Sequence, residues 1–280
     1  MSPDILRYSA FTTDPAGGNP AGVVLDAAGM DEAAMQAVAA EVGYSESAFL
    51  VNKGGGIVDI RYFSPLAEVP FCGHATIASA VAHAERNGTG LLRLMTQVGE
   101  VPVQTVAGPD GTTATLVSIP PRTSDIAADD VAELLAALRW AAADLDPALP
   151  PRVAYAGASH PVIAVATRAR LADLAYDFDR LGALLAARDW ISVMLVHRES
   201  DTVFHARNPF PPGGVVEDPA TGAAAAAFGG YLRALGLLTP PARFTIHQGV
   251  DMGRPSRITV DVYDADSGIG VSGTAVPISD

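Results

Sequence analysis

The hydrophobic and polar positions of this chain predict many short strands and two helices built from small residues. The first of these helices follows a predicted strand, Ile57–Phe63, and a connector that contains Pro65 and Pro70. Its apolar side chains have the i, i+3, i+4, i+7 spacing of a helix, at Ile77, Ala80, Val81 and Ala84. We therefore predict a buried helix that begins near Gly73 and stops at Asn87-Gly88.

The second half of the chain contains a partial copy of this helix start. Ala220-Thr221 corresponds to Ala75-Thr76, and each dipeptide follows a proline at a similar distance and opens a helix of small residues. An internal repeat of this length predicts two similar domains; a chance match in an alanine-rich chain is the alternative. The second helix is predicted from Pro219 to about Leu235, with Asp218 as its N-cap, because proline is favoured in the first helical turn.

The predicted strands follow one another mostly through turns, which favours antiparallel or mixed sheets over a doubly wound arrangement. We predict an α+β fold of two similar domains related by a pseudo-two-fold rotation. Each domain is expected to be a mostly antiparallel or mixed sheet wrapped around a central helix. The predicted domains are residues 1–120 and 121–267, separated at Pro120-Pro121-Arg122.

Composition and charge exclude several classes of protein. The 280 residues carry a formal net charge of −13 and a pI of about 4.7, which disfavours nucleic acids and anionic membranes as partners. A single cysteine, Cys72, excludes an intramolecular disulfide and a metal site built from several cysteines. The sequence begins without the basic and apolar segments of a signal peptide, and its longest apolar run is too short to span a membrane. We therefore expect a cytoplasmic protein.

Glu46 is the first candidate for acid–base chemistry. It lies among small and apolar residues, including Ala48 and Phe49, near the start of a predicted strand. A carboxyl group in such surroundings can act as a general acid or base near neutral pH. The competing interpretation is a glutamate on a strand edge that faces water, since most glutamates are exposed.

Three further candidates lie at the predicted starts of the two central helices, where backbone N–H groups favour anions. His74 can donate to a substrate carboxylate or move a proton, or it can be satisfied by the backbone alone. Asp218 can cap its helix and still face a cleft. Cys72 can form a thiolate at a helix start, but a small buried residue is the stronger interpretation, because no second cysteine completes a two-thiol pair.

Other catalytic signatures are absent from the sequence. It contains no Walker loop, no G-x-G-x-x-G motif after a strand and no H-E-x-x-H motif. His197, His205 and His247 are interpreted as scattered, structural histidines. No paired metal ligands are visible in the sequence, so no metal is expected.

Several short motifs together resemble the phenazine-biosynthesis PhzF-like isomerase family in order and spacing. They span nearly the whole chain: Gly18-Asn19-Pro20-Ala21-Gly22, Ser45-Glu46-Ser47, Phe71-Cys72-Gly73-His74-Ala75-Thr76, Glu217-Asp218-Pro219-Ala220-Thr221-Gly222, and Gln248-Gly249 with Gly253-Arg254-Pro255-Ser256. The resemblance implies a diaminopimelate-epimerase-like fold, a site between its two domains and no cofactor. It also suggests that residues 268–280 cross back to complete the first domain, 1–120. It also implies that Glu46 carries the proton, with His74 and Asp218 in the site.

Three functions stay open on the sequence. The first, which the resemblance favours, is a cofactor-independent isomerase that moves a proton between carbons of a small carboxylate-bearing substrate. Its expected substrate-binding residues are Asn19, Gly73, Thr221, Gly222 and Ala223, and a homodimer is the expected assembly. The second is an amino-acid epimerase, racemase or dehydratase, although the position near Asp218 lacks the second cysteine of the two-thiol epimerases. The third is a non-enzymatic small-molecule-binding or scaffold protein.

Overall fold

The computed structural model describes residues 3–264 and 267–279, and these residues form two compact units. The first unit contains the residues up to Val117 together with those from Ser272 onward, and the second contains Ser118–Val271. The domain boundaries expected from the sequence stay a prediction, and each unit is described by itself below.

The described residues of the first unit form two helices and a sheet that is mostly antiparallel, with two parallel crossovers. Its elements are β1 (Leu6–Ala10), β2 (Asn19–Val24), α1 (Glu32–Val42), β3 (Glu46–Gly54), β4 (Ile57–Phe63), β5 (Glu68–Val69), α2 (Gly73–Asn87), β6 (Leu91–Thr96), β7 (Gly99–Gly108) and β8 (Gly111–Val117). Helix α1 begins after the N-cap Asp31, whose side chain accepts from the Ala34 N–H, and it packs on Phe49 and Phe63.

The sheet of the first unit closes on itself around α2. The strand order is β1-β2-β3-β4-β6-β7-β8, and the residues from Ser272 of the last strand, which covers Ile269–Pro277, lie between β8 and β1. Tyr8 pairs with Pro277 and Ala10 with Ala275 in this closure. Ten of the fifteen residues of α2 are buried, because a helix that is apolar or small all round is stable only inside a core. Its contacts with β1, β2, β3, β7 and β8 make it the central helix of the unit.

The described residues of the second unit form four helices and ten strands, counting the start of the last strand. The elements are β9 (Arg122–Asp125), α3 (Ala128–Leu138), β10 (Arg152–Tyr155), β11 (Ser159–Ala164), α4 (Arg168–Ala172), α5 (Phe178–Arg188), β12 (Met194–Arg198), β13 (Val203–Arg207), β14 (Pro209–Phe210), β15 (Val215–Glu217), α6 (Gly222–Ala234), β16 (Ala242–Gln248), β17 (Ser256–Val262) and β18 (Ile269–Pro277). The short strands β14 and β15 pair separately. The main sheet has the order β9-β10-β11-β12-β13-β16-β17-β18.

Helix α6 is the central helix of the second unit. Ten of its thirteen residues are buried, and it contacts β9, β10, β11 and β17. Its small residues permit this close packing: a Cβ added at Gly229 would stand 2.9 Å from Ile269 Cγ2 and 3.0 Å from Val260 Cγ1. A separate apolar cluster, which includes Leu134, Leu181 and Trp190, joins α3 and α5 to the other face of the sheet.

Both units use the same order of crossovers. In the first unit, β2 and β3 pair in parallel across α1, and β4 and β6 pair in parallel across α2. In the second unit, β11 and β12 pair in parallel across α4 and α5, and β13 and β16 pair in parallel across α6. The first unit also has antiparallel pairings such as β1–β2, β3–β4, β6–β7 and β7–β8. The second unit has β9–β10, β10–β11, β12–β13 and β16–β17. Each sheet is therefore mixed, as the sequence predicts.

The predicted start of the second central helix is wrong. Helix α6 begins at Gly222, and its N-cap is Thr221, so Asp218 is not the cap. The physical reason is a long-range contact: the Gln248 side chain donates to the Asp218 carbonyl oxygen at 2.7 Å and accepts from the Thr221 N–H at 3.2 Å. These bonds hold the residues before Thr221 outside the helix, although Asp-Pro is locally a good helix start.

The interpretation of three histidines as scattered is also wrong. The strand register places His197 of β12 opposite His205 of β13, and His205 opposite His247 of β16. Their ring centroids lie 6.4 and 5.5 Å apart along this row. We call these three residues the histidine ladder.

Among the helices formed by residues 3–264 and 267–279, none is both long enough and apolar enough to cross a membrane.

Candidate active site

The start of α2 is fixed to the sheet of the first unit by a chain of hydroxyl groups. The Thr76 hydroxyl donates to the Cys72 carbonyl oxygen at 2.6 Å. Because that hydroxyl has a single proton, the 2.6 Å contact between Tyr62 and Thr76 requires the Tyr62 hydroxyl to be the donor. Tyr62 belongs to β4 and is fully buried. The first turn of α2, including His74, is therefore held in place from inside the core.

Glu46 is positioned by the parallel pairing of β2 and β3. It is the first residue of β3 and lies opposite Ala21 in the register. The next pair is Gly22 and Ser47, and a Cβ at Gly22 would stand 2.5 Å from the Ser47 hydroxyl oxygen. The strands can approach this closely only because residue 22 is glycine.

The Glu46 side chain lies against His74. Its carboxylate oxygen Oε2 is 3.4 Å from His74 Nε2, and the two side chains are only 17% and 6% exposed. Ser45 Oγ lies 3.5 Å from the same nitrogen. Glu46 therefore does not face open water, as the competing interpretation of the sequence required.

Cys72 is the third member of this cluster. Its sulfur lies 3.4 Å from His74 Nδ1 and 3.8 Å from His74 Nε2, and its residue is buried. The side chain does not bond to the first-turn N–H groups of α2 as a cap, within the part of the chain that the structure describes. The first unit thus brings a carboxylate, an imidazole and a thiol together at the start of a buried helix.

This arrangement suits proton transfer. A carboxylate and an imidazole at 3.4 Å can share or exchange one proton with little movement, and both groups act as general acids and bases in enzymes. When His74 carries its proton on Nε2, it donates toward Glu46 and leaves Nδ1 as an acceptor. The backbone N–H groups of the first turn add an electropositive end of the helix beside these side chains.

In the second unit, Asp218 belongs to a hydrogen-bonded turn before α6. The Thr221 hydroxyl donates to Asp218 Oδ2 at 2.6 Å and accepts from Gln248 Nε2 at 3.0 Å. The Asp218 N–H donates to the Asn208 carbonyl oxygen at 3.0 Å. The Thr221 N–H is committed to Gln248, so a ligand at this helix start would meet the N–H groups of Gly222 and Ala223 first.

A buried ion pair lies directly before this turn. Arg207 Nε donates to Glu217 Oε1 at 2.9 Å, and Arg207 Nη2 donates to Glu217 Oε2 at 2.5 Å, which makes the pair bidentate. Arg207 Nη1 donates to the Ala172 carbonyl oxygen at 2.8 Å. Because both partners are largely buried, breaking the pair would leave an uncompensated charge beside Asp218.

The predicted site residues therefore fall into two groups. Glu46, His74 and Gly73 lie together in the first unit, where Asn19 is the buried first residue of β2. The other group surrounds the start of α6 in the second unit: Asp218, Thr221, Gly222 and Ala223. That these groups act on one substrate stays a prediction.

Sequence reasoning missed the residues that position these groups. Tyr62 carries no local signal, because its role depends on which strand and helix meet. Ser45, Thr76 and Gln248 were used only as parts of motifs or of the repeat. The available signal for Gln248 was the alternation along β16, which places it on the same face as Phe244 and Ile246. An amide on a buried face requires hydrogen-bond partners.

Comparisons with known proteins match the chain over nearly its whole length. A family model described as "Phenazine biosynthesis-like protein" matches residues 8–280. The chain is 32% identical over 288 residues to the uncharacterized isomerase YddE of Escherichia coli (strain K12), covering 99% of this chain and 96% of that protein. It is 31% identical over 257 residues to the trans-2,3-dihydro-3-hydroxyanthranilate isomerase of Pseudomonas fluorescens, covering 88% of this chain and 86% of that protein.

Solved structures show the same fold. The phenazine biosynthesis protein of the PhzF family from Bacillus anthracis superposes with a TM-score of 0.88 at 28% identity, covering 98% of this chain and 96% of that one. A probable proline racemase from Agrobacterium radiobacter superposes with a TM-score of 0.67 at 12% identity, covering 97% and 90%, which is a likeness of fold alone. The predicted α+β, epimerase-like fold class is confirmed.

Proposed function

Since this chain belongs to the phenazine biosynthesis-like protein family, we propose that it moves a proton between two carbon atoms of a small carboxylate-bearing substrate without a cofactor. The predicted family is confirmed, and its relatives identify the protein as an enzyme with isomerase activity. Our proposal goes further in three respects: the path of the proton, the class of substrate and the independence from a cofactor.

The observation that carries the proposal is the contact between Glu46 and His74. The Glu46 carboxylate removes a proton from one carbon of the substrate, becomes a carboxylic acid and returns that proton to a second carbon. His74, 3.4 Å away and buried, can hold the carboxylate by donating from Nε2. A single base that takes and returns one proton needs no second thiol or metal, and general acid–base catalysis of this kind contributes about 10²–10⁴-fold in rate.

We propose that the substrate carboxylate binds at backbone N–H groups of a helix start. The first turn of α2 begins at Gly73, directly beside the proton carrier, and helix N-termini bind anions through their N–H groups and dipole. This places a negatively charged group of the substrate within reach of Glu46 in a protein whose net charge is −13.

The proposal is tested first with trans-2,3-dihydro-3-hydroxyanthranilate, because the name of the Pseudomonas fluorescens relative gives that compound as its substrate. The reaction is followed in D₂O by NMR. We expect a new isomer with the proton moved between carbons. If this compound does not react, carboxylates that raise the melting temperature are assayed in the same way, since a ligand of the folded state stabilises it. No isomer from any stabilising carboxylate would contradict the proposal.

The second candidate function is epimerisation through a thiol. One observation favours it: the Cys72 sulfur lies 3.4 Å from His74 Nδ1. Cys72→Ser distinguishes the two mechanisms. With Glu46 as the proton carrier, the variant retains most of its turnover. A loss on the order of a thousandfold, equivalent to about 4 kcal/mol of transition-state stabilisation, together with loss of optical rotation during wild-type turnover, would favour the epimerase.

The remaining expectations from the sequence stay predictions. They are the catalytic role of Asp218, substrate binding by Asn19, Thr221, Gly222 and Ala223, a homodimer and a cytoplasmic location. Asp218→Asn tests the first of these, because it preserves the bond from the Thr221 hydroxyl and removes the charge. An unchanged kcat and KM would remove Asp218 from the mechanism.

A further inference from the structure

Three side chains of the kinds that bind metal ions in proteins lie together at the start of α2. They are a carboxylate, a thiol and an imidazole. One donor atom each of Glu46, Cys72 and His74 lies within 4.8 Å of the other two. The isomerase proposed above uses the carboxylate and the imidazole for proton transfer and gives the thiol no role. A carboxylate, an imidazole and a thiolate together form a donor set that zinc prefers.

The distance between Glu46 and His74 matches a tetrahedral zinc site, and the Cys72 sulfur can reach the third position by rotation. With ordinary bonds from zinc to nitrogen, oxygen and sulfur, neighbouring donors in a tetrahedron lie about 3.3–3.6 Å apart. Here Glu46 Oε2 is 3.4 Å from His74 Nε2, and Cys72 Sγ is 3.8 Å from the same nitrogen. The sulfur lies nearer to Nδ1, at 3.4 Å, so it must move away from the ring by more than about 1 Å to face an ion bound at Nε2. A change of rotamer about the Cα–Cβ bond of Cys72 provides a movement of that size.

The charges of these side chains and the number of ligands that they supply also fit a divalent ion. Glu46 and a deprotonated Cys72 contribute two negative charges, which a 2+ ion neutralises inside a largely buried cluster. Three protein ligands leave a fourth position of the tetrahedron for water or a carboxylate, as in open zinc sites. The Glu46 and His74 side chains are already held by β3 and by the fixed start of α2, so only Cys72 has to change its rotamer on binding.

We propose that Glu46, Cys72 and His74 form a binding site for a thiophilic divalent cation such as Zn²⁺, and that its occupation inhibits the isomerase. Binding releases the Cys72 thiol proton to solvent. The metal also takes the lone pairs of Glu46 and His74 with which proton transfer would begin. The inhibitory half rests on the function proposed above, whereas the binding half rests on the geometry of the three side chains.

The histidine ladder is the competing site within this chain. His197, His205 and His247 lie on neighbouring strands of the second unit, and Glu199 contacts His205. These residues offer nitrogen and oxygen donors but no sulfur. His205→Asn removes the middle ligand of the ladder and leaves the first unit untouched, which makes it the matched control.

Cobalt distinguishes the two sites, because a thiolate bound to Co²⁺ gives a charge-transfer absorption band that histidine and carboxylate do not give. The full-length protein is titrated with Co²⁺, and Zn²⁺ is then added as competitor. We expect one equivalent of Co²⁺ to produce the band and Zn²⁺ to abolish it. Cys72→Ser and Cys72→Ala should lose the band, His205→Asn should keep it, and Glu46→Gln should weaken Co²⁺ binding at least about tenfold, the smallest effect usual even for indirect partners of a metal.

Each outcome decides one half of the proposal. Absence of the band from folded wild-type protein, or its persistence in both Cys72 variants, would overturn the site. In the wild type, one bound Zn²⁺ should abolish turnover and a chelator should restore it; full turnover with one bound Zn²⁺ would overturn the inhibition. The cobalt titration needs no substrate. A negative titration therefore does not contradict the proposed isomerase activity. Equally, the titration can be interpreted even if the isomerase activity is not found.

Discussion

Individual residues set the geometry of the candidate site through sterics and hydrogen bonds as much as through charge. Gly22 shows this most clearly, because its neighbour in the register is Ser47, the residue directly after Glu46. A side chain at residue 22 would press on the strand that carries the proposed proton carrier. The motif Gly18-Asn19-Pro20-Ala21-Gly22, which the sequence offered only as part of a resemblance, thus has a physical role.

Gly22→Ala should therefore destabilise the protein and lower its turnover. The new Cβ would stand 2.5 Å from Ser47 Oγ, and rotation of that hydroxyl cannot relieve the contact, since Ser47 Cβ and Val42 Cγ1 would lie at 3.1 and 3.2 Å. Overpacking of this kind costs about 1–3 kcal/mol. The free energy of unfolding in urea and the kcat measure the two effects.

The matched control is Gly108→Ala. Its added Cβ would meet only the Gly111 carbonyl oxygen, at 3.4 Å, so we expect a change within about 0.5 kcal/mol. Equal stability and turnover of the two variants would refute the steric role of Gly22.

A second residue-level effect concerns His160, which is buried in the second unit. The Ser192 hydroxyl donates to Asn208 Oδ1, so the 2.9 Å contact with His160 requires Nδ1–H to donate to Ser192. His160 Nε2 is then a buried nitrogen without a hydrogen-bond partner among the described residues. Burial lowers the pKa of His160 to about 4, because a proton on Nε2 would create a charge that nothing solvates.

His160 should therefore make the protein sensitive to acid. Its pKa is 6.5 when unfolded and about 4 when folded, so its contribution to stability is complete above pH 6.5 and is lost as the pH falls toward 4. Over that window the free energy of unfolding should decrease by about 3 kcal/mol from this group. His160→Asn keeps a donor toward Ser192 but cannot take up the proton.

Urea unfolding of wild type and His160→Asn at several pH values measures this effect. Above pH 7 the two curves of stability against pH should run parallel, which serves as the internal control. Between pH 6.5 and 4 the wild-type curve should fall more steeply. Identical slopes across the whole range would show that His160 does not carry the acid sensitivity.

Among the secondary-structure elements, those with strong local signals were predicted well. Strand β4 covers Ile57–Phe63 as expected, and α2 ends at Asn87 with Gly88 as its C-cap. Strand β2 was missed, because its first residues, Asn19 and Pro20, have the local signature of a turn. Pairing with β1 on one side and β3 on the other overrides that signature.

The errors share one physical cause, which is that long-range contacts are invisible in a local pattern. The start of α6 was misplaced because Gln248, thirty residues beyond Asp218, holds the preceding turn. The histidine ladder was missed because only the register of three strands aligns its members. Glu46 and His74 were likewise predicted as separate candidates. Only the family resemblance, and no local pattern, indicated that they lie in one site.

Gln248 should accordingly be essential for the turn before α6. Gln248→Ala removes two donated bonds and one accepted bond from a residue that is 1% exposed. Unsatisfied buried partners cost about 1–3 kcal/mol, so unfolding in urea should require correspondingly less denaturant. Gln104→Ala, at an exposed position of β7, is the control and should change stability by less than about 0.5 kcal/mol. Equal effects of both changes would rule out the proposed role of Gln248.

Over the full chain, the repeat is clearer in topology than in sequence. Each unit places one central helix of small residues across a parallel crossover, β4-α2-β6 in one and β13-α6-β16 in the other. The two Ala-Thr dipeptides do not occupy equivalent positions, since Thr76 lies inside α2 and Thr221 is the N-cap of α6. The same topology therefore contains two different helix starts. Among the described residues, the start of α2 combines a carboxylate with an imidazole and a thiol, and the start of α6 does not.

The account depends on Glu46 as the group that carries the proton. Glu46→Gln keeps the size of the side chain and a hydrogen-bonding group toward His74, but an amide cannot take up and return a proton. The variant should melt near the wild-type temperature and should still be stabilised by the substrate. Glu85→Gln, at the other end of α2 where Glu85 accepts from the Tyr8 hydroxyl, is the control and should turn over normally.

The deciding measurement is the kcat of Glu46→Gln for the isomerisation, followed by NMR in D₂O beside wild type and Glu85→Gln. A Glu46 proton carrier predicts a decrease of about a hundredfold or more, the usual scale of general acid–base catalysis, with substrate binding retained. Wild-type turnover by Glu46→Gln would contradict the mechanism and require another group to move the proton.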